Sequence, residues 1–392
     1  MSRQVLPRQS HGRQVVDRRL LAFALLGLTA MMADMVYEGG RSVAGPYLRA
    51  LEATALIAGV VSVGELVGLL IRAPAGLLAE RLGGRSAWIL VFVGYGMNLA
   101  IPLLAWAGSP GVALLLLVAE RAGKGIRAPV KDALIASLTE GTRIRALAYG
   151  IHEVMDQLGA VAGPAVVAYY VAQGYGEAFT VLVYPYVASM IFLGAAFLLY
   201  TRAPSMPRRG GGGGDGSPLL FIIVASLPMT VFMHWSLAGY ILSDRGAAPE
   251  EVAWAYMIAM IVDVALAIPL SYLHARIGTP LLLVAPIAAA LSSVEVFRGN
   301  LIGAGVLWGV VACIYETIVK SDLASRAVTG RFRAFGLLGL ATGMAGLAGN
   351  IVMSLLYGSG MELYYVAAAG LASLAATAIF LAYESSRVSP RL

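Results

Sequence analysis

The stretch "GLLAERLGGR", residues 76–85, gathers Glu80, Arg81, Arg85 and a pair of glycines into a turn too polar for hydrocarbon. On both sides of it the chain turns apolar for about 20 residues, the length at which an α-helix crosses a bilayer. The same alternation extends in both directions over all 392 residues, with 59% hydrophobic and only 13% charged side chains. A soluble domain carries about 25% charge. Twelve apolar runs can be placed, centred near residues 33, 66, 97, 120, 157, 188, 231, 262, 288, 310, 344 and 373, and little chain is left for a soluble domain. The expectation is an all-α membrane protein with twelve transmembrane helices.

The polar segments alternate in charge as membrane loops do. Of the 28 Lys and Arg, only Arg49, Arg245 and Arg298 fall in the loops on the side opposite "GLLAERLGGR", Arg41 and Arg72 are set aside as lying within runs, and the rest count toward the "GLLAERLGGR" side, those at the end of the fourth run among them. This excess places both termini in the cytoplasm of a multi-pass cell-membrane protein, which an even number of spans satisfies. The leading "RQVLPRQSHGRQVVDRR" is too long and basic for a secretory signal, and Asp34 would interrupt the apolar core that a signal needs. It reads as a retained tail, residues 1–19. The net charge of +6 is therefore a record of topology, and basic residues scattered over many segments exclude nucleic acid as a partner. The one cysteine, Cys313, sits in an apolar run and excludes a disulfide. No HExxH, CxxC or Walker A pattern occurs, so no metal or cofactor is implied and ATP hydrolysis by this chain is excluded as the motor.

Midway lies "TRAPSMPRRGGGGGDGSP", whose prolines and consecutive glycines cannot hold a helix. It separates six runs from six, giving bundles at residues 20–200 and 218–384, a flexible cytoplasmic linker at 201–217 and a tail at 385–392. Such a division invites a search for an internal repeat. "SYLHARIGTP", residues 271–280, matches "GLLAERLGGR" with Arg276 and Gly278 in place of Arg81 and Gly83. At a second constant offset Arg145, Gly150 and Gly163 pair with Arg331, Gly336 and Gly349.

In these features the chain resembles the major facilitator superfamily of secondary transporters over essentially its whole length. Gly76, Glu80, Arg81, Gly83 and Arg85 match that family's loop after the second helix, with Glu at 80 for the usual Asp and Gly84 for a usual basic residue. Gly150, Gly159, Gly163 and Pro164 match the fifth-helix signature of its proton-coupled antiporters, although Val167 and Ala168 replace the trailing glycines. A fourth-helix signature is met only at Arg121, Gly125 and Ala128. The resemblance implies two pseudo-symmetric six-helix bundles, alternating access and no enzymatic activity. It assigns conformational gating to Gly76, Glu80, Arg81, Gly83, Arg85, Gly150, Gly159, Gly163 and Pro164. Glycine and proline serve there for close helix approach and kinking.

Ionisable groups inside a membrane normally face a cavity or a partner. Here they occur in the first, second, fourth and fifth runs and in the seventh, eighth and tenth, while the third, sixth, ninth and twelfth are clean at their centres. Asp34, Glu38 and Arg41 stand at i, i+4, i+7, one stripe on one helix face. Glu120, Lys124, Arg127 and Lys131 repeat the pattern in the fourth run. The expectation is that the first stripe faces the second, with a purely structural ion-pair network as the competing reading. Asp34, Glu38, Glu65, Glu153 and Asp156 lie at the right depth to carry protons, and Asp156 with His152 at i, i+4 is equally a satisfied pair. Tyr37, Arg41, Glu120, Arg121, Lys124, Arg127, His234, Trp235, Asp263, Glu316 and Lys320 are candidates to line a substrate cavity. Trp235, Tyr37, Tyr240 and Tyr315 offer aromatic surface to an amphipathic or cationic compound.

The function these residues suggest is transport of a small organic solute by alternating access, as proton-coupled antiport or efflux by a monomer. Its partners would be a small-molecule substrate, protons and the lipid bilayer. An alternative of the same fold uses the basic stripe Lys124, Arg127 and Lys131 for an organic or phosphorylated anion. A non-transporting membrane receptor is a second alternative. A membrane enzyme is a third, opposed by the lack of any grouped nucleophile, base and orienting residue.

Overall fold

A computed structural model describes residues 8–82, 84–140, 142, 144, 147–200, 218–327 and 331–388. The linker at 201–217, Gly83 and the outermost residues of both tails lie outside the described residues. Twelve helical stretches follow one another: α1 (Arg8–Ala50), α2 (Ala55–Leu82), α3 (Ala87–Trp106), α4 (Pro110–Thr139), α5 (Ala148–Val171), α6 (Tyr175–Leu199), α7 (Leu219–Asp244), α8 (Pro249–Ile277), α9 (Thr279–Arg298), α10 (Leu301–Arg326), α11 (Arg331–Leu356) and α12 (Glu362–Val388). No strand occurs among the described residues. That is the expected answer to an apolar solvent, where a helix satisfies every backbone group within itself.

Among the described residues, 11 helices are long and apolar enough to cross a membrane, which makes this a multi-pass membrane protein. The helix outside that set is α4. At 30 residues it is long enough, but it carries Glu120, Arg121, Lys124, Arg127, Lys131 and Asp132. The count of twelve from sequence rests on accepting those charges inside the membrane.

Local chemistry sets the ends. Ser109 accepts from the backbone N–H of Val112 at the start of α4, with Pro110 at the first helical position. Asn300 does the same for α10 through the N–H of Gly303, and Glu251 accepts from the N–H of Ala248 at the start of α8. Two helices are broken in mid-course. In α7 a 3-10 turn at Leu227–Thr230 is followed by non-helical residues before helix resumes at Trp235, and in α10 a π turn spans Tyr315–Val319.

Close approach is concentrated at glycine. A Cβ on Gly163 of α5 would lie 2.3 Å from the Met35 carbonyl oxygen of α1, and one on Gly349 of α11 would lie 2.0 Å from the Thr230 carbonyl oxygen of α7. The two positions paired at constant sequence offset thus make equivalent contacts in the first and second six helices. Gly159 likewise abuts Met31, whereas Gly150 has nothing within 4 Å.

The apolar core is arranged asymmetrically along the membrane normal. On the side away from the start of α1, which we call the far side, one continuous core joins both halves. Tyr47, Leu48, Phe179, Trp235, Ile241, Val252, Tyr256 and Trp308 all belong to it. On the terminal side, where α1 begins and α12 ends, there are two cores. One, around Trp88, Leu134 and Leu193, uses only the first six helices, and the other, around Phe221, Leu282 and Leu323, uses only the last six. The far-side seal is reinforced by Arg49 of α1, which donates to Asp244 of α7 at 3.0 Å, and by the hydroxyls of Tyr240 and Tyr357, which donate to the Ala53 carbonyl and to Asp244. The halves are locked at one end and separately packed at the other.

Candidate functional site

At the inner limit of the far-side seal lies a small cavity whose polar lining includes Tyr37, Arg41, Glu65, Glu120, Arg121 and His234, with Ala44, Val61, Ile101 and Leu117 among its apolar walls. The polar residues come from α1, α2, α4 and α7, and hence from both halves. Three basic groups converge on Oε1 of Glu65: Arg121 at 3.3 Å, Arg41 at 3.6 Å and His234 at 3.9 Å. Glu65 is the most open of the charged groups, with 40% of its side chain exposed. Glu120 is its opposite, 1% exposed and held by Nε of Arg121 at 2.6 Å and by Arg127 at 3.8 Å. Beside them the Lys124 ammonium donates to Tyr37 Oη at 2.7 Å, and both Lys124 and the Arg121 guanidinium lie over the Tyr37 ring.

The stripe on α1 does not present a single face to α4. Tyr37 meets Lys124 and Arg121, and Asp34 lies in the field of Lys124, Lys131 and Asp156. Glu38 and Arg41 turn to the other half instead: Tyr256 of α8 donates to Glu38, and Arg41 lies over the Trp308 ring of α10 at 5.6 Å. The stripe climbs about 10 Å along the helix axis from Asp34 to Arg41, so its two ends meet different neighbours. The fourth-run stripe also divides. Arg127 is buried, donating to the Gly94 carbonyl and Asn98 of α3 at 3.0 Å each and lying over Tyr95, so it braces the bundle and does not line the cavity. Lys131 pairs with Asp156 at 3.3 Å, and His152 lies 3.6 Å from the same carboxyl group.

Toward the terminal side, Glu153, Glu316 and Lys320 are exposed, while Asp263 is buried beside Cys313. Glu153 accepts from Gln157 at 3.4 Å and lies in the field of Glu316 and Lys320 across the two halves. Trp235 departs from expectation. It is fully buried, donates from Nε1 to the Ser42 carbonyl at 3.2 Å and packs on Tyr256 and Trp308, so it seals the far side. Tyr240 belongs to the same seal, and Tyr315 donates to the Ala225 carbonyl in the second half. Of the gating residues, Glu80 and Arg81 are exposed, Gly76 and Pro164 are in helix, and Arg85 lies over Phe197 at 5.6 Å.

Several contributors were not singled out in the sequence. Tyr256 stands at i−7 from Asp263, one helical face, which is the signal that would have found it. Asn350 of α11 accepts from the backbone N–H of His234 at 2.7 Å and so fixes the break in α7. Arg49, which the sequence places in a loop, pairs with Asp244 to form the far-side latch. Among the described residues no group of three His, Cys, Asp or Glu is placed to hold a metal ion.

No protein-family model matches the chain. It is 31% identical over 389 residues to the uncharacterized protein Rv2265 of Mycobacterium tuberculosis (strain ATCC 25618 / H37Rv), covering 93% of each. The same figures hold for the uncharacterized proteins MT2327 of M. tuberculosis (strain CDC 1551 / Oshkosh) and Mb2288 of M. bovis. Among solved structures, the peptide transporter POT in complex with sulfate aligns with a TM-score of 0.74 at 14% identity, over 93% of this chain and 94% of that one. The nucleoside transporter NupG gives 0.71 at 12% identity, over 92% and 99%. A bacterial homologue of the human lysosomal transporter Spinster, in an inward-facing and unoccupied conformation, gives 0.62 at 16%, over 92% of each. The chain thus shares its fold with these three transporters.

Proposed function

The chain belongs to one family with the mycobacterial proteins Rv2265, MT2327 and Mb2288, and on that footing and its fold we propose that it is a secondary active transporter of a small organic solute. It works by alternating access, the two six-helix bundles at residues 20–200 and 218–384 rocking about the central cavity. The single observation that carries this reading is the asymmetry of the cores: one shared by both halves on the far side, and one per half on the terminal side. A molecule built in that way has a ready second state, in which the far side parts and the terminal side closes.

In this reading α4 is the twelfth span, because the charges at its middle point into the bundle. Glu120 and Arg127 are buried among partners from α3 and from α4 itself. Both termini are cytoplasmic, by the weight of basic residues on the terminal side. The coupling ion is the proton and the mode is antiport, with Asp34 and Glu38, which share the helix α1 with Tyr37 and Arg41, the leading carriers. Glu65, Glu153 and Asp156 are the other candidates. The protein acts as a monomer without a cofactor.

The test is flux. Protein reconstituted in vesicles loaded with a pH indicator dye is challenged with organic anions, cations and neutral solutes under an imposed proton gradient. Solute-dependent proton movement, lost in Asp34→Asn or Glu38→Gln, is expected. Solute flux indifferent to the proton gradient would overturn the coupling, and no flux of any solute would overturn the transporter reading.

A further inference from the structure

Arg41 is a guanidinium in search of an acceptor. It carries five N–H donors. Its neighbours are Glu65 at 3.6 Å, Glu38 at 4.0 Å and Nε2 of His234 at 3.3 Å. The two carboxylates are beyond hydrogen-bonding distance. The histidine does not serve either: its Nδ1 accepts from the backbone N–H of Ser236. A neutral imidazole with one nitrogen accepting carries its proton on the other, so Nε2 faces Arg41 as a second donor. The buried Nε of Arg41 has no hydrogen-bond partner among the described residues.

The carboxylates around it divide into two kinds. Glu120 and Glu38 are buried and committed, the first to Arg121 and Arg127, the second to the Tyr256 hydroxyl. Glu65 is neither. It is 40% exposed, and one of its oxygens is shared among Arg121, Arg41 and His234 at distances of 3.3 Å and more. A planar two-oxygen anion suits a guanidinium far better than one shared oxygen does, since it can accept two parallel N–H bonds.

We propose that Arg41 and Arg121 form an oxyanion subsite for the transported solute, and that Glu65 is a resident competitor which the solute's carboxylate or phosphate displaces. This rests on the central cavity being the solute site and adds to it a substrate class and a specificity device. The subsite replaces the basic stripe Lys124, Arg127 and Lys131 as the place of anion recognition, because Arg127 and Lys131 are already occupied by Asn98, the Gly94 carbonyl and Asp156. Displacement by competition gives a site that stays neutralised when empty. It also discriminates against cations, which would have to approach two guanidiniums with their one mobile counter-charge still in place.

The experiment is a binding measurement on the full-length protein in detergent, by thermal shift, with benzoate, phenyl phosphate, inorganic phosphate and benzyltrimethylammonium as probes. Benzoate and phenyl phosphate are expected to stabilise the protein, and their relative potency separates carboxylate from phosphate recognition. Glu65→Gln is expected to lower their half-saturating concentration about tenfold, the equivalent of one charge-assisted hydrogen bond. Glu65→Asp, which keeps the charge but withdraws it by one methylene, should give a smaller gain. Arg41→Gln in the Glu65→Gln background should abolish the effect. Unchanged oxyanion binding in both Glu65 variants, or tighter binding of the ammonium probe, would overturn the proposal, as would the absence of any oxyanion effect on either protein. Proton-coupled flux that persists alongside Glu65-independent oxyanion binding would sink the competitor assignment and leave the transporter reading standing. Oxyanion binding as expected with no flux of any solute would do the reverse.

Discussion

At the scale of single residues, charge inside this protein is sorted by burial. Arg127 contacts Glu120, Asn98, the Gly94 carbonyl and the Tyr95 ring, and is 4% exposed. Arg127→Leu should therefore destabilise by about 3–5 kcal/mol, the range for breaking a buried pair from one side. Arg127→Lys should recover little of that, because an ammonium cannot reproduce the planar fork. Lys131→Ala, which breaks a pair with Asp156 whose side chains are 19% and 16% exposed, should cost less than Arg127→Leu, because those groups keep some access to water. Thermal unfolding in detergent checks all three, and equal losses at Arg127 and Lys131 would refute the division. The residue types were legible in the sequence, since an ionisable group in an apolar run announces itself. Their partners were not. Whether Glu38 meets α4 or Tyr256 depends on a helical rotation of a few tens of degrees, and no one-dimensional spacing records that.

At the scale of elements, the glycines give the sharpest contrast. Gly163 and Gly349 each lie under a backbone carbonyl of the neighbouring helix, and Gly150 and Gly336 have open space around them. Gly163→Val or Gly349→Val should force α5 from α1 or α11 from α7, with a loss of about 1–3 kcal/mol or more by overpacking. The same change at Gly150 or Gly336 should leave the unfolding midpoint within about a degree, since surface changes away from packed features are nearly neutral. All four stand out equally as sequence letters, and the constant offset pairs them correctly. It is their depth in the bundle that decides which two touch another helix. The break in α7 was likewise invisible, because the bond from the His234 N–H to Asn350 joins residues 116 apart. The twelve runs and their polar turns, by contrast, could be read directly, because hydrophobic length is a local property.

At the scale of the whole molecule, the proposed alternating access reads the shared far-side core and the divided terminal side as one of two states. The Arg49 and Asp244 side chains are 43% and 39% exposed, so their pair contributes less than about 1 kcal/mol on its own. That is still enough to shift a balanced equilibrium severalfold. Asp244→Asn should raise the population with the far side open. The direct measurement is pulsed electron–electron distance spectroscopy on two spin-label pairs in a Cys313→Ala background. One pair, Ala50 and Met361, reports the far side. The other, Leu82 and Ile277, reports the terminal side, and all four positions are exposed. Alternating access predicts two distance populations for each pair, moving in opposite senses when ligand is added or when Asp244→Asn is introduced. Single distances at both ends, unmoved by either, would contradict it.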